Sequence, residues 1–202
     1  MGNKNIIIIV FFIALLSIVY FLGKEESEST DSINKKILNI TGTIKKIKIT
    51  KNKTSVTLFQ DKENWLIKEK NNYPANLEKI KEVIEQLTKV KGDTFYTDNP
   101  DKHSKFELED PDKSEDSKGA VKIEIMDNTG KIIDGIIIGK SKNSKKQSDT
   151  PWATESSVFA RNLNSNTVYL CNTSVSADNA PSNWLKKEFL DIKKNEFRSV
   201  TI

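Results

Sequence analysis

Residues 64–90, NWLIKEKNNYPANLEKIKEVIEQLTKV, contain both of the secondary-structure patterns on which the predicted fold depends. The stretch opens with NWLIK, a short aromatic and β-branched run that predicts a β-strand. After Pro74, the apolar residues recur at spacings of three and four, which predicts an amphipathic helix over residues 76–91. Asn76 is suited to cap the start of this helix, and Lys89, Lys91 and Gly92 suit its end.

The residues before this stretch continue the strand pattern. The runs IKKIKI (44–49) and SVTLF (55–59) are short, rich in β-branched or aromatic residues, and separated by polar breaks. Together with NWLIK, they predict three antiparallel strands in a meander.

The residues after the helix predict further strands. GDTFYTD (92–98) favours one strand, and VKIEIMDNTGKIIDGIII favours a hairpin, because alternating apolar positions flank a turn at Asp127–Gly130. SVFARN and NTVYLCN indicate a second hairpin. The polar residues 140–157 predict an exposed excursion, and FRSVTI (197–202) could form a last strand. The predicted fold class is α+β, an antiparallel sheet of meander and hairpins packed by one main α-helix.

The amino-terminal residues predict a membrane anchor. Residues 6–22, IIIIVFFIALLSIVYFL, approach the length of a spanning helix. The alternative is a cleaved signal peptide, although the run is long for one and no A-x-A-like site follows. Lys4 precedes the span and acidic residues soon follow it, so the body is expected outside the cytoplasm. The predicted organisation is residues 1–23 as transmembrane helix, 24–40 as flexible linker and 41–202 as the extracytoplasmic domain.

The charge balance argues against nucleic-acid binding. The chain has 32 basic and 28 acidic residues, a net charge of +4. Arg161 and Arg198 are the only arginines, so the planar groups that usually read phosphates and bases are nearly absent.

Few residues are candidates for catalysis or metal binding. Cys171 is the only cysteine and His103 the only histidine. We expect Cys171 to be structural and His103 to be a solvated loop residue rather than a nucleophile and its base. The acidic run from Asp110 has part of the spacing of a calcium loop, but Glu115 and Val121 occupy its decisive positions, so a hydrated acidic loop is expected. No catalytic, cofactor-binding or metal-binding residue is predicted.

Aromatic residues are the better candidates for a binding surface. Trp65 alternates with Ile67 and is expected in the core. Trp152, Tyr73 and Trp184 form the possible interaction surface, with roles as core residues or loop anchors as the alternative.

Six segments, in order along the chain, suggest a family. They are VTLFQDKENWLIKE, YPANLEKIKEVIEQLTKVKG, KFELEDP, VKIEIMDNTGKIIDGIIIGK, SVFARNLNSNTVYLC and FLDIKK. With these segments the chain resembles the bacterial domain of unknown function 4340 family from about residue 44 onward. The resemblance implies a membrane-anchored exported protein found alongside ABC-type transport and gliding-related export systems, and it implies no catalytic residues.

Two functional hypotheses follow. The first is a non-catalytic, membrane-anchored extracytoplasmic domain that assists an ABC-type transport or envelope system through contacts with a membrane or envelope protein, at exposed sheet edges or the 140–157 excursion. The alternative is a binding module for a cell-wall polymer or a small ligand.

Overall fold

The computed structural model describes residues 33–113, 119–143, 156–172, 175 and 177–187, which form an α+β fold of antiparallel strands and one main helix. The elements are β1 (Lys35–Lys36), β2 (Lys46–Lys51), β3 (Thr54–Asp61), β4 (Asn64–Ile67), β5 (Tyr73–Pro74), α1 (Leu77–Lys89), β6 (Lys91–Gly92), β7 (Thr94–Thr97), β8 (Val121–Met126), β9 (Ile132–Asn143), β10 (Ser156–Asn162) and β11 (Val168–Cys171). Short 3-10 helices cover Lys68–Lys70, Pro100–Lys102, Ser104–Phe106 and Pro181–Trp184.

Two meanders lie side by side in one sheet. The strand order is β5-β4-β3-β2-β8-β9-β10-β11-β7, and neighbouring strands are antiparallel. The meanders meet where β2 pairs with β8, and β1 and β6 form a separate two-stranded sheet. The predicted meander and both predicted hairpins are confirmed.

Helix α1 packs on one face of this sheet. Asn76 caps it as predicted, because its side-chain oxygen accepts a hydrogen bond from Lys79 N at 3.1 Å. Gly92 does not end the helix, which stops at Lys89 with Val90 as its C-cap. Gly92 lies in β6 instead, where an added Cβ would approach the Tyr169 ring to 2.6 Å.

The main core lies between α1 and the sheet. Alternate residues of the strands, such as Ile47 and Ile49 of β2, pack there with Ile80, Val83 and Leu87 of the helix. Trp65 is buried in this core, as the sequence predicts.

A second, smaller core lies on the opposite face, under residues 98–113, which we term the covering segment. Its buried members are Phe106, Leu108, Ala120, Ile137, Phe159 and Val168. The covering segment runs so close to β9 that a Cβ at Gly139 would lie 2.1 Å from the Phe106 carbonyl oxygen. Glycine at this position therefore permits the segment to pack there.

The packed body begins earlier than predicted. Residues 33–40 were expected in the flexible linker, but β1 pairs with β6, and Ile37 and Leu38 are buried in the main core. Asn162 Nδ2 also donates a hydrogen bond to Ile37 O at 3.0 Å. Because the residues around Ile37 and Leu38 are polar, the sequence pattern did not identify these two residues as part of the core.

The boundary of the 140–157 excursion was also wrong. Strand β9 continues to Asn143 and pairs there with Ser156 of β10, so both ends of the predicted excursion belong to the sheet. Residues 144–155 lie outside the described residues.

Two predictions concern segments near the ends of the sequence, and both segments lie outside the described residues. The predicted span at 6–22 and the predicted last strand FRSVTI lie outside them. Within the part of the chain that is described, no helix combines the length and apolarity needed to cross a membrane.

Candidate functional site

Within the described part of the chain, only part of the sheet face opposite α1, termed the outer face, is covered. Alternation in β2 places Lys46, Lys48 and Thr50 on this face, because Ile47 and Ile49 occupy the core face. The covering segment contacts the outer face through β8, β9 and β10.

One row of residues runs across the part of the outer face that the described residues leave uncovered, and we term it the outer row. Lys46 lies opposite Phe59 of β3 and Met126 of β8, Phe59 lies opposite Leu66 of β4, and Met126 lies opposite Ile132 of β9. The four apolar members belong to neither core. Ile132 is exposed, and Phe59, Leu66 and Met126 are half-buried.

A network of charged side chains lies next to the outer row. Lys122 Nζ contacts Asp110 Oδ2 at 3.0 Å, Asp112 Oδ2 at 2.9 Å and Glu124 Oε1 at 3.6 Å. Lys48 Nζ lies 3.6 Å from Glu124 Oε2 and 3.7 Å from Asp112. Lys122 and Glu124 are each only 7% exposed, whereas the side chains of Lys48 and Asp112 are 31% and 36% exposed, so only the Lys122–Glu124 part of the network is largely removed from water.

Attraction between the charged side chains of the network offsets the cost of burying Lys122. Burial acts to lower the pKa of Lys122, but hydrogen bonds to Asp112 and Asp110 and the charge of Glu124 outweigh burial and raise that pKa. Arg161 extends the network, since its Nε donates to Leu108 O at 3.0 Å; burial lowers its pKa and the charge of Asp110 opposes that shift. The contacts of Lys122 and Arg161 therefore hold the covering segment against the sheet.

Two oxygens near this network have no hydrogen-bond partner in the described part of the chain. They are Thr50 Oγ1 and Glu124 Oε2, and both are buried. Glu124 Oε2 retains the charge of Lys48 at 3.6 Å. Its electrostatic environment is therefore favourable without a ligand.

The expected hydrated acidic loop is not what the structure shows for Asp110 and Asp112. Both carboxylates bind the ammonium group of Lys122. Among the described residues, no group of three or more His, Cys, Asp or Glu could hold a metal ion, and residues 114–118 lie outside them. A single sequence could not identify Lys122 as the partner, because the pairing depends on how the covering segment folds back.

His103 and Cys171 do not form a catalytic pair. The prediction of a solvated His103 was wrong: it is buried, and its Nε2 donates to Asn166 O at 2.9 Å. Cys171 is buried in the main core with its Sγ 3.9 Å from Tyr169 O. Burial, aided by the charge of Asp93, raises the pKa of Cys171 to about 12, so the thiol stays protonated at neutral pH.

The three aromatic residues predicted as an interaction surface have different positions. Trp184 is fully buried in the main core, and its Nε1 donates to Asp178 O at 2.7 Å, so that part of the prediction is corrected. Tyr73 is half-buried in β5, opposite Ile67. Trp152 lies outside the described residues, and the interaction roles of Tyr73 and Trp152 stay predictions.

The described residues define an antiparallel α+β domain whose reactive groups make internal contacts and whose sheet keeps an uncovered face. Residues 65–202 match the family model described as Domain of unknown function (DUF4340), and the chain belongs to that family. The match begins later than the resemblance noted in the sequence, at Trp65 instead of about residue 44. Comparisons with curated proteins and with solved structures gave no match.

Proposed function

We propose that this chain is a non-catalytic, membrane-anchored extracytoplasmic domain that assists an ABC-type transport or envelope system by binding a protein partner. The observation that carries the proposal is the outer row, whose apolar side chains pack in neither core. Apolar residues grouped on a surface and flanked by polar ones are typical of protein contact sites.

The outer row has dimensions suited to a helix or strand of a partner. It crosses five neighbouring strands, β4-β3-β2-β8-β9, which at roughly 4.8 Å per step is about 19 Å. That is the length of a helix of about 13 residues. Because Lys46 lies in the middle of the row, a partner with apolar residues around one carboxylate would complement it.

The membrane placement in this proposal has separate support. Residues 6–22 are apolar apart from Ser17 and Tyr20, and they precede the described body. An anchor at that end would keep the domain at the membrane, where membrane or envelope proteins are available as partners.

The test is cross-linking and copurification from native membranes. A Phe59→Ser, Leu66→Ser double variant is expected to recover the partner at least tenfold less well than the wild type, because it removes two apolar contacts. Leu77→Ser is the matched control, since Leu77 is an exposed apolar residue on α1. Thermal unfolding should verify that both variants remain folded.

Two results would overturn the proposal. One is recovery of no membrane or envelope partner by the wild type at native abundance, and the other is equal recovery by both variants. A cell-wall polymer retained by the wild type and lost with Trp152→Ala or Tyr73→Ala would instead favour the polymer-binding alternative.

A further inference from the structure

We infer that Lys105, Lys140 and Lys142 form a docking site for an extended acidic segment of a partner protein, and we term these residues the lysine site. This inference rests on the proposed function, because it too requires a protein partner, but it adds a second contact on the outer face. Lys140 lies eight residues along β9 from Ile132 of the outer row, roughly 25 Å away, so the two contacts are open to separate tests.

A β-bulge in β9 turns Lys142 toward the outer face. The two residue steps from Val158 to Ala160 in β10 pair with three steps of β9, so β9 carries one extra residue there. In a regular strand Lys142 would share the face of Ile138, which packs against the main core. The extra residue places Lys142 on the other face instead. Bulges often re-aim side chains in this way next to functional sites.

The ammonium groups of the lysine site lie against one aromatic cluster on the outer face. Lys105 Nζ lies 6.0 Å and Lys140 Nζ 5.8 Å from the centre of the Phe106 ring. Lys142 Nζ lies 5.1 Å from the centre of the Tyr96 ring and donates a hydrogen bond to its hydroxyl oxygen. The two rings pack edge to face with their centres 5.7 Å apart. Because ring faces attract ammonium groups, the cluster holds three like charges close together.

Packing of the covering segment fixes Lys105 beside Lys140. Phe106 is only 6% exposed, and its carbonyl oxygen lies directly against Gly139. Lys105 precedes Phe106 in a 3-10 helix, and Lys140 follows Gly139 in β9, so this one contact sets the backbone positions of both lysines. The lysine site is therefore organised before a ligand binds, which lowers the cost of binding.

The lysine site holds positive charge that the described part of the chain does not neutralise. Neither Lys105 nor Lys140 forms an ion pair there, although Lys140 is half-buried. Glu107 is only two residues from Lys105, but its carboxylate is directed toward Gly119. Because like charges held together repel, an anionic ligand would stabilise this arrangement.

The spacing of the lysines favours an acidic peptide segment over a small anion. Lys140 and Lys142 are two residues apart on one strand, about 6.6 Å, and their ammonium groups lie against different rings. Alternate side chains of an extended partner segment repeat at the same spacing of about 6.6 Å, so two of its carboxylates would each meet one lysine. Such charge complementarity contributes mainly to the selection of a partner.

The test is the binding of a labelled peptide of alternating Glu and Ser to the full chain in neutral detergent, measured by fluorescence anisotropy. The Lys105→Gln, Lys140→Gln double variant is expected to bind the peptide at least fivefold more weakly than the wild type. Lys68→Gln, Lys70→Gln is the matched control, because it removes the same charge from exposed positions and should bind within about twofold of the wild type.

Thermal unfolding should verify that both double variants remain folded. If the first does not, Lys105→Gln alone provides the test, because Lys105 is exposed, and it should still weaken binding at least twofold.

Four results would overturn the inference. They are no binding by the wild type, equal weakening by both double variants, displacement of the peptide by inorganic phosphate at the same concentration of charge, and loss of peptide binding in the Phe59→Ser, Leu66→Ser variant. The third would assign the lysine site to a small oxyanion, and the fourth would place the peptide on the outer row. Peptide binding at the lysine site, together with failed copurification of a membrane or envelope partner, would contradict the proposed function alone.

Discussion

At the scale of single residues, Lys122 connects the covering segment to the sheet. The alternation of Lys122 and Glu124 with Val121, Ile123 and Ile125 predicts a solvent-facing side of β8. Lys122 and Glu124 do lie on the face of β8 that points away from the main core. The covering segment lies over that face, however, and its Asp110 and Asp112 bind the Lys122 ammonium group. The burial of these charges results from tertiary packing, and the alternation of residues along a strand does not predict it.

Replacement of Lys122 by Met should destabilise the fold by about 2–3 kcal/mol. The substitution keeps the apolar stem but removes the cation from the largely buried Asp110, and it leaves Glu124 with only the partly exposed Lys48. The measurement is urea unfolding at neutral pH. Lys89→Met is the matched control and should leave stability nearly unchanged, because its pair with Glu85 is exposed to water. Similar losses for both variants would show that Lys122 has no special role.

The stability of the fold should decline at acidic pH partly through Asp112. Burial acts to raise the pKa of this carboxyl, but the hydrogen bond and charge of Lys122, with Lys48 nearby, outweigh burial and hold the pKa below its ordinary value. Such a carboxyl contributes stability that is fully present above its unfolded pKa of about 4 and is lost as the pH falls through the lower folded pKa.

Asp112→Asn tests this linkage, with urea midpoints measured between about pH 7 and pH 2. The difference between wild type and variant should be largest near neutral pH and should shrink below about pH 4. A difference that stays constant over the whole range would exclude Asp112 as a source of acid sensitivity.

At the scale of elements, the sequence predicts most of the secondary structure because its local patterns agree with the tertiary fold. The spacing of apolar residues in α1 and the alternation in β2, β3 and β8 were sufficient. The ends of β9 and β10 were missed, because polar residues such as Lys142 and Ser156 pair there through their backbones. Strand ends made of polar residues lack the alternation of apolar residues from which a strand is predicted.

The Asn76 cap gives a prediction for α1. Asn76→Ala should destabilise the fold by about 1 kcal/mol, because Lys79 N loses its side-chain acceptor. Asn76→Asp retains an acceptor and should remain close to the wild type. Urea unfolding followed by circular dichroism measures both, and an Asp variant as unstable as the Ala variant would contradict a capping role.

At the scale of the whole molecule, the amino-terminal residues of the body are part of its core. Leu38 is only 1% exposed, and its burial places the start of the packed body before residue 41. The Asp134 carboxylate reinforces this attachment, because its Oδ2 accepts a hydrogen bond from Asn39 N at 2.6 Å.

Leu38→Ala should therefore cost about 3 kcal/mol, the usual effect of emptying a buried leucine site. The exposed Ile33 provides the control, since Ile33→Ala should change stability by no more than about 0.5 kcal/mol. Urea unfolding of the two variants measures their free energies of unfolding relative to the wild type. A small effect of Leu38→Ala would restore residues 33–40 to the linker.

The candidate site was less predictable than the fold. The outer row joins residues of five strands, so it depends on strand order and register, such as Lys46 opposite both Phe59 and Met126. Trp184 was predicted as part of a possible interaction surface, with a core or loop-anchor role as the alternative, and its indole lies in the main core. Local sequence identifies the strands, whereas the row appears only after the two meanders are placed side by side.

The junction of the two meanders also bears on how the chain folds. Strand β2 needs β8 as its second neighbour, and partners such as Lys51 and Val121 are far apart in sequence. A chain emerging amino terminus first would thus carry a half-paired central strand until β8 arrives, and contacts between distant segments slow folding. During that interval the open side of β2 carries unpaired backbone groups with which a strand of another chain can pair, so aggregation is expected to compete with folding until β8 joins the sheet.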